Sequence, residues 1–302
     1  MTHRRYGDPL PLGEPGGLPY SKGLMARALI AAGVSAERAY RLARRIEVDL
    51  AERDARTVEL ERLEELAVEV LGEESGTAAV SKLRRFAELQ ALDLPIVLLV
   101  GGATGTGKST VATEAAHRLG ITRVTSTDFI RQTIRAFFSE DFMPSVHHSS
   151  FEAGASVADA ETGDPTLLGF LDQTRNVLVG VEAAIERAIR EGWSLVLEGI
   201  HLVPGMVPAH IDGALLVHTV LRIESEVVHR THFHIRDATS GGVRPMDRYI
   251  EHMGDIRRIQ DYIVARAQKA GIPVIENANP DQATSDVMEL VLSSAERLET
   301  VH

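Results

Sequence analysis

Ile96-Val97-Leu98-Leu99-Val100-Gly101-Gly102-Ala103-Thr104-Gly105-Thr106-Gly107-Lys108-Ser109-Thr110 contains the run G-x-x-x-x-G-K-S from Gly102 to Ser109. That run is the Walker A pattern of a loop that cradles a nucleoside triphosphate. Its flanks fit the mechanism. The apolar, β-branched residues before it read as a buried parallel strand, and Val111 to Leu119 reads as the helix that follows. The glycines let the backbone curl, so that Gly102, Ala103, Thr104, Gly105, Thr106, Gly107, Lys108, Ser109 and Thr110 line the phosphates with their N–H groups and the helix N-terminus. Lys108 is expected to reach the β and γ oxygens, and Ser109 to hold Mg²⁺. A Gly-rich turn that binds nothing would need neither Lys108 nor Ser109.

Outward from this loop, the chain is an ordinary globular one of 302 residues, 44% hydrophobic and 25% charged. Its net charge of −11 argues against a nucleic-acid or anionic-membrane partner, because both rely on a basic surface. An anionic small-molecule substrate must then meet a local basic pocket. There is no cysteine, which excludes disulfides, thiolate metal sites and a cysteine nucleophile, and which agrees with a cytoplasmic location. Residues 1–17 are rich in Gly, Pro and charge and lack the apolar segment of a signal peptide. No stretch approaches the roughly 18 apolar residues of a membrane span.

Residues 1–92 read as helical throughout. Ser21 to Ala32 ends at Gly33, a helix with Leu42, Ile46 and Leu50 on one face follows Ser35, and Val58 to Leu71 and Ser81 to Leu92 continue the pattern. From residue 93 to 302 the rhythm becomes strand alternating with helix, the doubly wound parallel α/β arrangement. Strands are expected at Arg123 to Ser126, Ser194 to Leu197, Ala214 to Ile223 and Ile272 to Glu276. Helices are expected at Asp128 to Phe138, around Thr174 to Glu191, at Glu224 to His234, Asp247 to Ala270 and Ala283 to Leu298. Ser139 to Gly169 has the Gly, Pro, His and Ser content of a substrate-facing region.

Three further clusters carry chemistry. Asp128 opens a helix at a strand end, with Arg131 and Arg135 at helical spacing behind it, at the edge where open α/β sheets bind ligands. Asp128 suits a catalytic role, taking the proton of an attacking hydroxyl or holding Mg²⁺ partly through water, and the two arginines suit an anionic acceptor. Asp is also a favoured helix cap. Leu195-Val196-Leu197-Glu198-Gly199-Ile200-His201 offers a Walker B-like carboxylate, Glu198, with His201 facing acceptor or phosphate. The third cluster runs from Val228-His229-Arg230-Thr231-His232-Phe233-His234-Ile235-Arg236 to Arg244 and reads as a lid. Its Arg230, Arg236 and Arg244, with Arg248 beyond, are placed to neutralise the transferred phosphoryl group, Arg236 among the catalytic residues. The histidines lack the i to i+4 spacing of a helical zinc pair. His147 and His148 sit in the unassigned segment, and Asn277 follows the last strand where a turn could edge the adenine.

Taken in order, these stretches resemble the 2-phosphoglycerate kinase family. Leu18-Pro-Tyr-Ser-Lys-Gly-Leu-Met-Ala-Arg-Ala-Leu29 and Ala36-Glu-Arg-Ala-Tyr40 resemble that family's ATP-cone domain. Gly101 to Ser109, Ser126-Thr-Asp-Phe-Ile-Arg131, Glu198-Gly-Ile-His201, Arg248-Tyr-Ile and Ile256 to Tyr262 resemble its kinase domain. The resemblance implies a P-loop fold of the nucleotide- and shikimate-kinase type behind a smaller all-α, ATP-cone-like domain. It implies ATP- and Mg²⁺-dependent phosphoryl transfer to the 3-hydroxyl of 2-phosphoglycerate, and regulatory nucleotide at Arg4, Arg5 and Lys22. Another phosphorylated polyol such as an inositol phosphate, or a nucleotide-hydrolysing switch, stays open as an alternative. A homodimer is one assembly compatible with the reading.

Overall fold

The structure, a computed structural model, describes residues 20–92, 94–157, 163–240 and 246–299, with the side chains of 235–240 and 299 outside that description. It divides into two compact units. One comprises the chain up to Leu94 with Arg118–Gly120 and the residues from Val291 on; the other comprises Pro95–His117 and Ile121–Leu290.

The first unit is helical: α1 (Lys22–Ala31), α2 (Ala36–Glu52), α3 (Leu60–Leu71) and α4 (Glu73–Ala91). Ser21 caps α1 by accepting a hydrogen bond from the Leu24 N–H, which satisfies one of the orphan donors of the first turn. Met25, Leu29, Leu42, Ile46, Leu63, Leu66 and Leu83 share one core, so the apolar stripes read from the sequence are the faces that pack. The last helix of this set begins at Glu73, earlier than the Ser81 that periodicity suggests. Gly72 at φ +84 supplies the turn, and Gly76 packs its bare Cα against the backbone of Ala67 and Val68, where a side chain would collide. The C-terminal residues from Val291 also belong to this unit, where Arg85 donates to Ser293 Oγ at 3.3 Å and pairs with Glu296.

The second unit alternates as the sequence implies. From Ile96 on, the elements in chain order are β1 (Ile96–Gly102), α5 (Lys108–Leu119), β2 (Val124–Ser126), α6 (Thr127–Phe137), α7 (Pro144–His147), α8 (Pro165–Arg190), β3 (Leu195–Gly199), β4 (Leu215–Arg222), α9 (Glu226–Ser240), α10 (Met246–Glu251), α11 (Met253–Ala270), β5 (Val274–Glu276) and α12 (Pro280–Glu299), the last residues of α5 and of α12 being counted in the first unit. The long helix read at Asp247 to Ala270 is broken at His252, where Glu152 pairs with both His252 and Arg248 of the preceding helix.

Among the described residues the strands form one parallel sheet in the order β2-β3-β1-β4-β5. Every residue of β1 and β3 is buried, as both faces of a parallel sheet must be covered. On one face α8 sets Val177, Val181 and Ile185 against Val97, Leu99, Leu195 and Leu197. A second cluster joins Ile256, Ile259 and Ile263 of α11 to Val220, Ala103 and Phe233. β1 lies at the centre, and the chain turns to opposite sides of it for β3 and β4; this switch point is where an open sheet leaves a ligand crevice at its C-terminal edge.

Candidate active site

Strand register assembles the site. Val100 pairs with Glu198, and Glu198 pairs with Ser126, so the glycine loop, Glu198 and the first residues of α6 leave the sheet side by side. Gly199 is required there: with φ +153, a Cβ on it would lie 2.7 Å from Thr127 Cβ.

At the glycine loop, Ser109 Oγ donates to Glu198 Oε1 across 2.9 Å. Glu198 is only 8% exposed, so a buried carboxylate meets the hydroxyl of the loop. Lys108 Nζ donates to Ala103 O at 2.6 Å. Burial pushes the Lys108 pKa down, and the negative charges of Glu198 and Asp128 pull it back up. The outer carbonyls of the loop are each taken by a side chain from elsewhere in the fold. His229 Nε2 donates to Thr104 O at 2.8 Å, His232 Nδ1 to Gly105 O at 3.1 Å, and Asn277 Nδ2 to Thr106 O at 2.8 Å. Gly105, at φ +83, makes this approach feasible. A Cβ there would stand 2.6 Å from Phe233 Cε1 and 2.9 Å from His229 Nε2.

A second group of polar contacts is built on α6. Arg131 Nε and Nη2 both donate to Asp128 Oδ1, at 3.0 and 2.9 Å, leaving Oδ2 outside this ion pair. Arg131 Nη1 donates to Val146 O at 2.7 Å and His148 O at 2.8 Å. Gln173 of α8 grips the same segment, its Nε2 donating to Ser145 O and to His148 O. Because that amide nitrogen donates, Gln173 Oε1 is the acceptor that faces His201 Nε2 at 3.0 Å. His201 therefore carries its proton on Nε2 and accepts at Nδ1 from Thr127 Oγ1, 2.8 Å away. Burial, reinforced by the positive charge of Arg131, pushes the His201 pKa down to about 3, which agrees with a neutral ring.

Several expectations need correction. Arg131 is a buried brace between Asp128 and two carbonyls, with four of its five donors used, so it does not serve as an open acceptor-binding cation. His201 is 1% exposed and neutral, and so offers no charge to an anion. Arg230 pairs with Glu226 one turn back on its own helix, and Arg248 pairs with Glu152 and reaches Ser149 Oγ, so neither is directed at the glycine loop. The face of α9 that meets the loop carries His229, His232 and Phe233. Arg135 is exposed on α6. The Arg236 side chain, Arg244, Arg4 and Arg5 lie outside the described residues. The carboxylate that meets Ser109 is Glu198, with Asp128 acting on Lys108 through its charge.

Thr127 and Gln173 were missed in the sequence, since a Thr and a Gln inside helical segments carry no pattern. His229, His232 and Phe233 do share a helical face at i, i+3 and i+4, the one signal by which an inward role was detectable.

The donor set suits Mg²⁺. Ser109 and Glu198 bring two hard oxygens together, and this ion takes one or two protein oxygens beside phosphates and water. No cluster of three or more His, Cys, Asp or Glu able to hold a metal occurs among the described residues. No helix of the described residues is long and apolar enough to cross a membrane.

No family model matches the chain. A 2-phosphoglycerate kinase of Pyrococcus horikoshii is 33% identical over 280 residues, which cover 93% of this chain and 92% of that protein. Another, of Methanothermobacter thermautotrophicus, is 39% identical over 262 residues, 86% of this chain and 85% of its own length. Among solved structures, a gluconokinase from Sinorhizobium meliloti aligns with a TM-score of 0.36 and 17% identity, over 68% of this chain and 94% of that one.

Proposed function

Because the chain belongs to the 2-phosphoglycerate kinase family, we propose that it transfers the γ-phosphoryl group of ATP to the 3-hydroxyl of 2-phosphoglycerate, giving 2,3-bisphosphoglycerate. The observation that carries this reading is the meeting of Ser109 with Glu198 beside Lys108, at the strand end next to Asp128.

In this reading the loop from Gly102 to Thr110 holds the triphosphate by its N–H groups, and Lys108 follows the β and γ oxygens as charge builds on them. Ser109 and Glu198 would hold Mg²⁺, which would supply positive charge to offset that of the triphosphate. Asp128, through Oδ2, takes the proton of the attacking hydroxyl, and Arg131 holds that carboxylate in place through Oδ1. The segment from Ser145 to His148, held by Arg131 and Gln173, forms the acceptor wall. Holding two reactants in line is the larger part of such catalysis, which explains why so much of the local polar structure is bracing.

The test is phosphorus NMR of the full chain with ATP, Mg²⁺ and either 2-phosphoglycerate, 3-phosphoglycerate or inositol phosphates. Appearance of 2,3-bisphosphoglycerate with 2-phosphoglycerate alone is expected. Preferred turnover of an inositol phosphate would move the acceptor to another polyol. ATP hydrolysis at one rate with or without any acceptor would replace the kinase by a nucleotide-driven switch.

A further inference from the structure

A trans peptide is planar, so turning the carbonyl of one residue outward turns the N–H of the next residue inward. Thr104 O on His229 thus sets the direction of the Gly105 N–H, and Thr106 O on Asn277 sets that of the Gly107 N–H. Gly105 O on His232 fixes the plane whose N–H, that of Thr106, closes back on Ala103 O at 3.4 Å. Two of these three anchors come from α9, and neither takes part in the chemistry described above.

The anchor is built to be rigid. His229 is fully buried, and its ring stacks on Phe233 at 5.3 Å between centroids; Phe233 stacks on Tyr249 at 4.8 Å and 5°, and Tyr249 meets Phe151 edge-on at 5.7 Å. This aromatic column holds α9 against Gly105, where only a glycine fits. His229 Nδ1 is buried without a hydrogen-bond partner, so the ring is kept in place for the sake of its other nitrogen. A buried imidazole satisfied at one end only is poorly explained by packing, since an apolar ring would fill the space without the desolvation cost.

We propose that His229 and His232 are positioning residues for the triphosphate: His229 holds the Thr104 carbonyl outward so that the Gly105 N–H stands ready for the phosphate oxygens, and His232 holds the Gly105 carbonyl and with it the turn from Thr106 back to Ala103 that shapes the loop. This rests on the reading of the loop as the ATP site.

The two rings use different nitrogens, which supplies a sharp test. A Gln amide nitrogen reaches the position of a ring Nε2, and an Asn amide nitrogen that of Nδ1. Full-length His229→Gln, His229→Asn, His232→Asn and His232→Gln are compared by calorimetric titration with the non-hydrolysable analogue AMP-PNP and Mg²⁺, alongside their thermal midpoints. His229→Gln is expected to recover most of the affinity that His229→Asn loses, and His232→Asn most of what His232→Gln loses. The loss is about tenfold, the scale of one hydrogen bond. All four binding like the parent, or all four weakening in proportion to a fall in midpoint regardless of which amide is used, would overturn the proposal while leaving the kinase reading intact. A parent chain that does not bind the analogue would overturn both.

Discussion

Ser109 Oγ and Glu198 Oε1 stand 2.9 Å apart although 89 residues separate them in the chain. The parallel pairing of β1 with β3 brings them together, because Val100 and Glu198 are register partners. Removing the charge while keeping the shape is the clean probe. Glu198→Gln is expected to lower kcat by about 100-fold or more and to raise the Mg²⁺ concentration for half-maximal rate, with little change in thermal midpoint. Lys108→Ala should abolish turnover. Unchanged Mg²⁺ dependence in Glu198→Gln would remove Glu198 from the metal site.

Asp128 and Arg131 act as a pair with separate consequences. Asp128→Asn should reduce kcat far more than affinity for ATP, since a base is needed in the transition state. Arg131→Met should instead leave the carbonyls of Val146 and His148 without their donor, raise the KM for the acceptor and cost about 2–3 kcal/mol of stability. Steady-state kinetics in both substrates, with urea unfolding, separates the two.

Asn277→Asp changes one atom but sets a carboxylate oxygen against Thr106 O, where the amide donates at 2.8 Å. Replacing attraction with repulsion at a buried site should weaken ATP binding by about tenfold or more and lower stability. Normal ATP affinity in a folded Asn277→Asp would show that this end of the loop needs no anchor.

Buried histidines set the acid limit of stability. Burial pushes the pKa of His201 to about 3 and those of His218 and His229 to about 4. An unfolded histidine titrates near 6.5. Between these values the unfolded chain binds more protons than the folded one, so stability is full above pH 6.5 and falls on acidification. The slope reaches about 1.4 kcal/mol per pH unit for each histidine. Asp49, held below the usual carboxylate range by its hydrogen bonds with Arg62, adds a further loss as the pH falls below about 4. Unfolding free energies from urea titrations at pH 7.5 and 5.0 should differ by about a few kcal/mol. A flat profile would mean that these rings are solvated.

The helix following β1, the strand at Arg123 to Ser126 and the carboxylate at Glu198 were legible because each rests on local pattern: an apolar run, a cap, a glycine with a set place in a turn. Arg131 and His201 were legible as site residues but misread in role. A charged or titratable side chain is assigned to ligand by default in a sequence, whereas its actual partners are the carbonyls of Val146 and His148 and the amide of Gln173, 15, 17 and 28 residues away. Such partners lie beyond any periodicity. The same holds for α10 and α11, whose break follows from no proline and accompanies the pairing of Glu152 with Arg248 and His252.

The sequence by itself determined the glycine loop, the parallel α/β character around it and the helical front unit, because these follow from backbone freedom and from the period of apolar residues. Only the tertiary structure decided which side chains complete the loop. Hydrogen bonds from His229, His232 and Asn277 to its carbonyls depend on the docking of α9 and β5 at the sheet edge, and that docking depends on packing between residues more than 120 positions apart. Local pattern specifies a peptide's shape, whereas the direction in which its donors finally point is set by what holds its acceptors.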